Sequence, residues 1–240
     1  MKPSVRVYAL SRGESMEADT SGQETAVVPL SGEVHLEVGD TPFERVRRVG
    51  RVAQTVWAPP GARTRVTAFT DARIAVANAP SSGGGPPFRV SEDEAVVERR
   101  GTGSSGRLVH TLIGPDSGAD RLIVGETFSD GGIWSSYPPH RHDREDPPHE
   151  RQHAECFLVT LSPPGGFAVM ITYDEDGADE SARVLHDGDI VEVESGFHSF
   201  AVADGYELSY LWILAGRTRD TLFRTDTRHR WLLEPTHDGV

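Results

Sequence analysis

Cysteine is almost absent: the chain of 240 residues has one, Cys156. No internal disulfide can form, which fits a reducing compartment and leads us to expect a cytoplasmic protein. Cys156 opens the apolar run Cys156-Phe-Leu-Val159, where a core-filling role is expected rather than a nucleophilic one. No uninterrupted apolar run approaches ~18 residues, so no membrane span is expected. The first fifteen residues lack an apolar segment followed by a cleavage site, so no secretory leader is expected. Basic residues are scarce too, 24 Lys and Arg against 37 Asp and Glu, for a formal charge of −13. That balance argues against non-specific nucleic-acid binding, which depends on cations neutralising phosphates, and against anionic membrane surfaces. Long amphipathic helical periodicity is missing almost throughout.

What is present is a succession of short strands. Val5–Leu10 has the pattern of an edge strand. Ala26–Val28 and Leu30–Leu36 alternate with the two-residue period of half-buried strands, with Ser31-Gly32 as a turn. Phe43–Val49, Thr55–Ala58, Arg65–Phe69 and Arg73–Ala77 continue the series around turns at Gly39-Asp40 and Pro59-Pro-Gly61. A Gly-, Ser- and Pro-rich stretch from Pro80 to Arg107 interrupts it and encloses the strand-like piece Phe88–Val97. Strands resume at Leu108–Ile113, Arg121–Phe128 and Trp134–His142. Glu155–Leu161 and Gly166–Tyr173 have the pattern of a strand pair across Ser162–Gly166, and four more strands follow by Leu214. Short strands at close spacing predict an all-β sandwich or small barrel. We expect two related barrels, 1–80 and 108–216, joined by a linker, 81–107, and followed by a tail, 217–240, with one short helix. A weak repeat supports this, since Trp57–Arg63 matches Val193–His198 in position. The first half has a single histidine, His35, and is expected to hold no metal.

The second half has the residues for one. Along a strand, His140 and His142 point to the same face, about 6–7 Å apart, while Arg141 points away. Glu155 begins the next strand, and His198 follows the turn at Gly196. Three imidazoles and a carboxylate suit zinc, manganese, iron, nickel or cobalt, and such sites often leave positions open for substrate. The alternative is a solvated, charge-rich loop, since His149 and His153 lie in the same stretch. Those two are expected to be surface or lid residues rather than ligands.

H-x-H, then Glu, then Gly-Asp and Gly-x-His resembles the metal pattern of the cupins, which are small β-barrels. Within them, Trp134-Ser-Ser-Tyr-Pro-Pro-His-Arg-His-Asp143 resembles the signature of the 5-deoxy-glucuronate isomerase family, related to 4-deoxy-L-threo-5-hexosulose-uronate ketol-isomerase. Gly196-Phe-His198, Gly205–Leu211 and Arg100-Gly-Thr-Gly103 with Arg107-x-Val109 extend the likeness. The resemblance implies a bicupin with its metal site in the C-terminal barrel and one divalent ion per chain, most often zinc. It implies His140, His142, Glu155 and His198 as ligands. The implied reaction is an aldose–ketose isomerisation in inositol catabolism, 5-deoxy-D-glucuronate to 2-deoxy-5-keto-D-gluconate. Two departures touch the substrate. Ala154 stands where the family usually has a second acid, and Trp212 where an Asn is expected. Such a reaction needs a general base, for which Tyr137, Asp143 and Tyr210 are the candidates. It also needs an Arg for the substrate carboxylate, which the sequence leaves unassigned, Arg141 being turned away. A metal-dependent cupin oxygenase and a non-catalytic sugar-binding cupin are the alternatives. Exposed barrel edges lead us to expect a homo-oligomer.

Overall fold

The computed structural model describes residues 2–233. The N-terminal half contains β1 (Ser4–Leu10), β2 (Ser15–Ala18), β3 (Gln23–Ser31), β4 (Glu33–Val38), β5 (Thr41–Val49), β6 (Val52–Ala53), β7 (Thr55–Ala58), β8 (Thr64–Ala68) and β9 (Ala72–Pro80). The connecting stretch forms β10 (Phe88–Val90) and β11 (Val96–Arg100). The C-terminal half contains β12 (Arg107–Ile113), β13 (Leu122–Ser129), β14 (Trp134–Arg141), β15 (His153–Ser162), β16 (Ala168–Tyr173), β17 (Ser181–Leu185), β18 (Ile190–Val193), β19 (Phe197–Val202) and β20 (Glu207–Gly216). The tail adds β21 (Arg224–Thr225) and a 3₁₀ helix, Thr227–Leu233, the short helix expected there. Among the described residues, no helix is long and apolar enough to cross a membrane.

The all-β expectation holds, with four sheets in place of two closed barrels. Sheet β2-β8-β4-β5-β6 faces sheet β1-β9-β3-β7-β10 across a core that includes Val27, Leu36, Val56, Val66 and Ile74. Sheet β11-β12-β13-β20-β15-β18 faces sheet β17-β16-β19-β14-β21 across Phe157, Met170, Phe200 and Tyr210. The ladders stay open at the corners, where the chain passes from one sheet to its partner without hydrogen-bonded closure. The two inner sheets pack back to back through Ala26, Val28, Ala75, Ala77, Leu112, Val124, Leu158 and Ile213, giving four layers.

Strands of the inner sheets are buried on both faces, and their sequences record it. In β3, Val27 enters the N-terminal core while Ala26 and Val28 enter the seam between halves. In β20, Leu211, Ile213 and Ala215 face the seam, while Leu208, Tyr210 and Trp212 face the interior of the C-terminal half. Two-sided burial explains near-continuous apolar runs where one-sided burial would give alternation. Each fully buried aliphatic side chain contributes ~1.5–3 kcal/mol. A buried carboxylate also fastens the seam: Glu24 accepts from the main-chain N–H of Asp120, Arg121 and Leu122 and from Trp57 Nε1, at 2.6–2.9 Å.

The predicted repeat is present in the strand order. The series β1-β9-β3-β7 matches β13-β20-β15-β18, and β2-β8-β4-β5 matches β14-β19-β16-β17. Two details differ from expectation. β15 does not pair with β16: β20 and β18 occupy both of its edges, and β16 lies between β17 and β19 in the facing sheet. The polar N-terminal stretch also contains a strand, β2, on the edge beside β8.

Candidate metal centre

Three strands deliver the four predicted ligands. His140 lies on β14 and His142 one residue past its end, Glu155 lies on β15, and His198 lies on β19 directly opposite His140 in the ladder. Ring nitrogens of His140, His142 and His198 stand within 4.8 Å of one another. Glu155 Oε2 is 3.0 Å from His142 Nε2 and 3.4 Å from His198 Nε2. Alternation holds as expected, since Arg141 leaves on the opposite side.

The ring orientations suit a cation. His142 Nδ1 faces the main-chain carbonyl of His153 at 3.0 Å, which fixes the proton of the neutral ring there and leaves the Nε2 lone pair toward the other ligands. Neither nitrogen of His198 has an aligned hydrogen-bond partner among the described residues, although the ring is buried. A buried imidazole with both nitrogens unsatisfied needs a partner, and a divalent ion coordinated by three nitrogens and an oxygen provides one.

The charges of the metal-free site follow from burial and pairing. Burial holds His140 well below the usual imidazole range, and the neighbouring His198 and His142 push it the same way. Burial would lower His142 as well, but its hydrogen bond to Glu155 and the charge of that carboxylate bring it above the ordinary value. Burial would raise Glu155, yet the hydrogen bond with His142 and the close His142 and His198 rings hold it at about 2. The carboxylate is therefore ionised and the imidazole pair is ready to exchange a proton for a metal ion.

A second network positions the ligands. Arg141, 1% exposed, donates to Glu150 and Glu175 at 3.1 Å and lies over the Phe197 ring. Glu150 also accepts from the main-chain N–H of Asp143 and Arg144 at 2.9 Å. Asp143 Oδ2 accepts from Gly196 N–H at 2.6 Å, tying the end of the His140–His142 segment to the turn that leads into His198. Gly196 is needed at that turn: its φ is +85°, and a Cβ would stand 2.7 Å from the Tyr173 carbonyl oxygen.

His140 and Glu155 line one end of a cavity of about 730 Å³. Tyr210 and Trp212 line its wall, β11 and β12 flank it, and Phe223 from the tail roofs it. Phe223 stacks on His140 with ring centroids 5.2 Å apart and lies 5.1 Å from His142. Of the three candidate bases, Tyr210 faces the cavity, its hydroxyl bonded to Ser135 Oγ at 2.7 Å. Asp143 is engaged with Gly196, and Tyr137 packs beside Trp134. Trp212 borders the cavity, seated over Gly125 of the neighbouring strand, where a Cβ would come within 2.0 Å of the indole. Ala154 alternates to the opposite face of β15 from Glu155. Its missing acid therefore leaves the ligand set intact.

His149 is exposed as expected, but His153 is not a surface or lid residue. It is buried at the start of β15, its Nε2 facing the Asp220 carbonyl at 2.9 Å, because the strand begins three residues before the apolar run that marks it. Phe223 was not foreseen. It lies in a tail with no periodicity, and no local signal connects it to histidines far back in the chain.

The KduI/IolB family model matches residues 1–232. The chain is 34% identical over 233 residues to a 5-deoxy-glucuronate isomerase of Geobacillus thermodenitrificans, covering 95% of this chain and 85% of that protein. It is 32% identical to a 5-deoxy-glucuronate isomerase of Bacillus subtilis strain 168, covering 95% and 87%. The crystal structure of an IolB-like protein from Salmonella typhimurium LT2 superposes with a TM-score of 0.93 at 31% identity, over 97% of this chain and 90% of that one. An oxalate decarboxylase of Bacillus subtilis shares the fold alone, with a TM-score of 0.66 at 10% identity over 93% and 71%. With nearly its whole length matched by family model, relatives and structure alike, the chain belongs to the KduI/IolB family.

Proposed function

We propose that this protein is a metal-dependent aldose–ketose isomerase of a deoxy-uronic acid, converting 5-deoxy-D-glucuronate to 2-deoxy-5-keto-D-gluconate in inositol catabolism. The observation that carries this is the convergence of three imidazoles and Glu155, two of which, His140 and Glu155, open onto a cavity, in a chain of this family. His140, His142, Glu155 and His198 would hold the metal, which we read as zinc. The chemistry supplied by the bound ion is Lewis-acid polarisation of the substrate carbonyl. Tyr210 is the candidate placed to hold or move the proton that passes between C1 and C2, its hydroxyl oriented by Ser135. Phe223 excludes water from one side of the ligand set. Asp143 is a positioning residue that holds the Gly196 turn.

The division of labour we propose follows the sequence. Residues 1–80 form a half without metal ligands, 81–107 a linker, 108–216 the metal-binding half and 217–240 a tail. The linker has a double allegiance, since β10 pairs with β7 and β11 with β12. Exposed Val96 and Val97 on the edge strand β11 support a homo-oligomer. The buried single cysteine supports a cytoplasmic location, and burial pushes its thiol up to about 12. Turnover of 5-deoxy-D-glucuronate by metal-analysed protein, beside His142→Ala, tests the assignment. Loss of metal and product together supports it, and a metal-loaded wild type without product rejects it.

A further inference from the structure

A sugar acid needs a cation for its carboxylate, and the arginines near the cavity differ sharply in how they are occupied. Arg141 is consumed by Glu150 and Glu175 on the far side of β14. Arg89, on β10, is exposed and donates to the Glu44 carbonyl at 3.2 Å. Arg107 is different. It is half-buried at the start of β12, and no carboxylate pairs with it among the described residues. Nη1 donates to the carbonyls of Ser105 and Tyr137, at 3.0 and 3.3 Å, while Nε and Nη2 have no protein acceptor among those residues.

Register places this guanidinium on the cavity side. In the β11–β12 ladder Val96 faces Thr111, Glu98 faces Val109 and Arg100 faces Arg107. Val96, Thr111, Val109 and Arg100 all line the cavity, so the shared face is the cavity face, and Arg107 belongs to it. Arg100 is already paired with Glu98 on β11, so of the two facing guanidiniums Arg107 is the one without a carboxylate among the described residues. Its bond to the Tyr137 carbonyl on β14, the strand that carries His140, puts it at the ligand end rather than out in solvent, and burial disfavours its charged form. A cation desolvated without a counter-ion is costly, and a carboxylate arriving with the substrate would offset that cost.

Given a sugar-acid substrate, we propose that Arg107, on the cavity face of the β11–β12 ladder, binds the substrate carboxylate and selects uronic acids over neutral sugars. The test is calorimetry on the metal-loaded full chain with D-glucuronate and D-glucose, which differ at C6. Wild type should prefer glucuronate, Arg107→Met should weaken glucuronate by about 10–100-fold while leaving glucose and metal content unchanged, and Arg107→Lys should recover part of the loss. Equal binding of the two sugars by wild type, undiminished glucuronate binding by Arg107→Met, or an equal loss for both sugars would overturn the proposal. Turnover measured alongside separates the two readings. Arg107-dependent binding without isomerisation removes the reaction and leaves the carboxylate subsite, whereas isomerisation with full glucuronate affinity in Arg107→Met removes the subsite and leaves the reaction.

Discussion

The two halves run their strands in the same order and use the positions for opposite ends. Where β14 and β19 set His140 against His198, β2 and β8 set Ala18 against Thr64. The N-terminal interior is filled by Val, Leu, Ile and Ala, and its one histidine, His35, is half-buried on β4 away from that pair. Even the acids are used differently. Glu155 points inward to the imidazoles, while Glu24, on the matching strand β3, points outward and fastens one half to the other. Paired strands fix where side chains can meet, and a few substitutions decide whether that meeting place is filled or functional.

The comparison can be broken at several points. The largest effect is expected from His198→Ala, which removes a ligand: metal content by elemental analysis and turnover should fall together, by more than ~100-fold, beyond the range of outer-shell losses. Glu24→Gln removes a buried charge that accepts four hydrogen bonds and should cost about 2–3 kcal/mol in urea unfolding, with metal stoichiometry retained. Asp143→Asn should weaken metal binding ~10–100-fold in a chelator competition while leaving all four ligands in place. Gly125→Ala drives a methyl into the Trp212 indole and the His110 carbonyl and should cost ~1–3 kcal/mol, recovered only in part by adding Trp212→Asn, as thermal melts would show. At the small end, Thr64→Val at the counterpart of His198 should leave metal content unchanged.

Acid provides a further contrast. Glu155 is held at about 2 in the folded, metal-free protein against an ordinary 4.5, so it favours folding above 4.5 and that contribution fades as pH falls toward 2. His142 has the opposite sign. Raised when folded, it stabilises below its ordinary 6.5, and the contribution is lost as pH rises through the folded value. Unfolding of metal-free wild type and Glu155→Gln across this range should converge near pH 2 and separate above 4.5.

Much of this architecture was legible because its cause is local. Two-residue alternation marked most strands, and the same rule put His140 and His142 on one face with Arg141 on the other. The false pairing of β15 with β16 shows where local signals stop: a short turn between two strands does not say whether they share a ladder or face each other across a core. The role proposed for Arg107 could not be singled out from a chain with many arginines, because its distinction is the absence of an acidic partner among the described residues. The side of Trp212 followed from strand parity only once β20 was known to be buried on both faces.

Phe223 gives the centre a history as well as a shape. Synthesis proceeds from the N-terminus, so all four ligands emerge before the ring that covers two of them. The nascent C-terminal half therefore passes through a stage in which its imidazoles can gather while still unroofed. Once Phe223 has closed over His140 and His142, it screens one side of both rings from solvent.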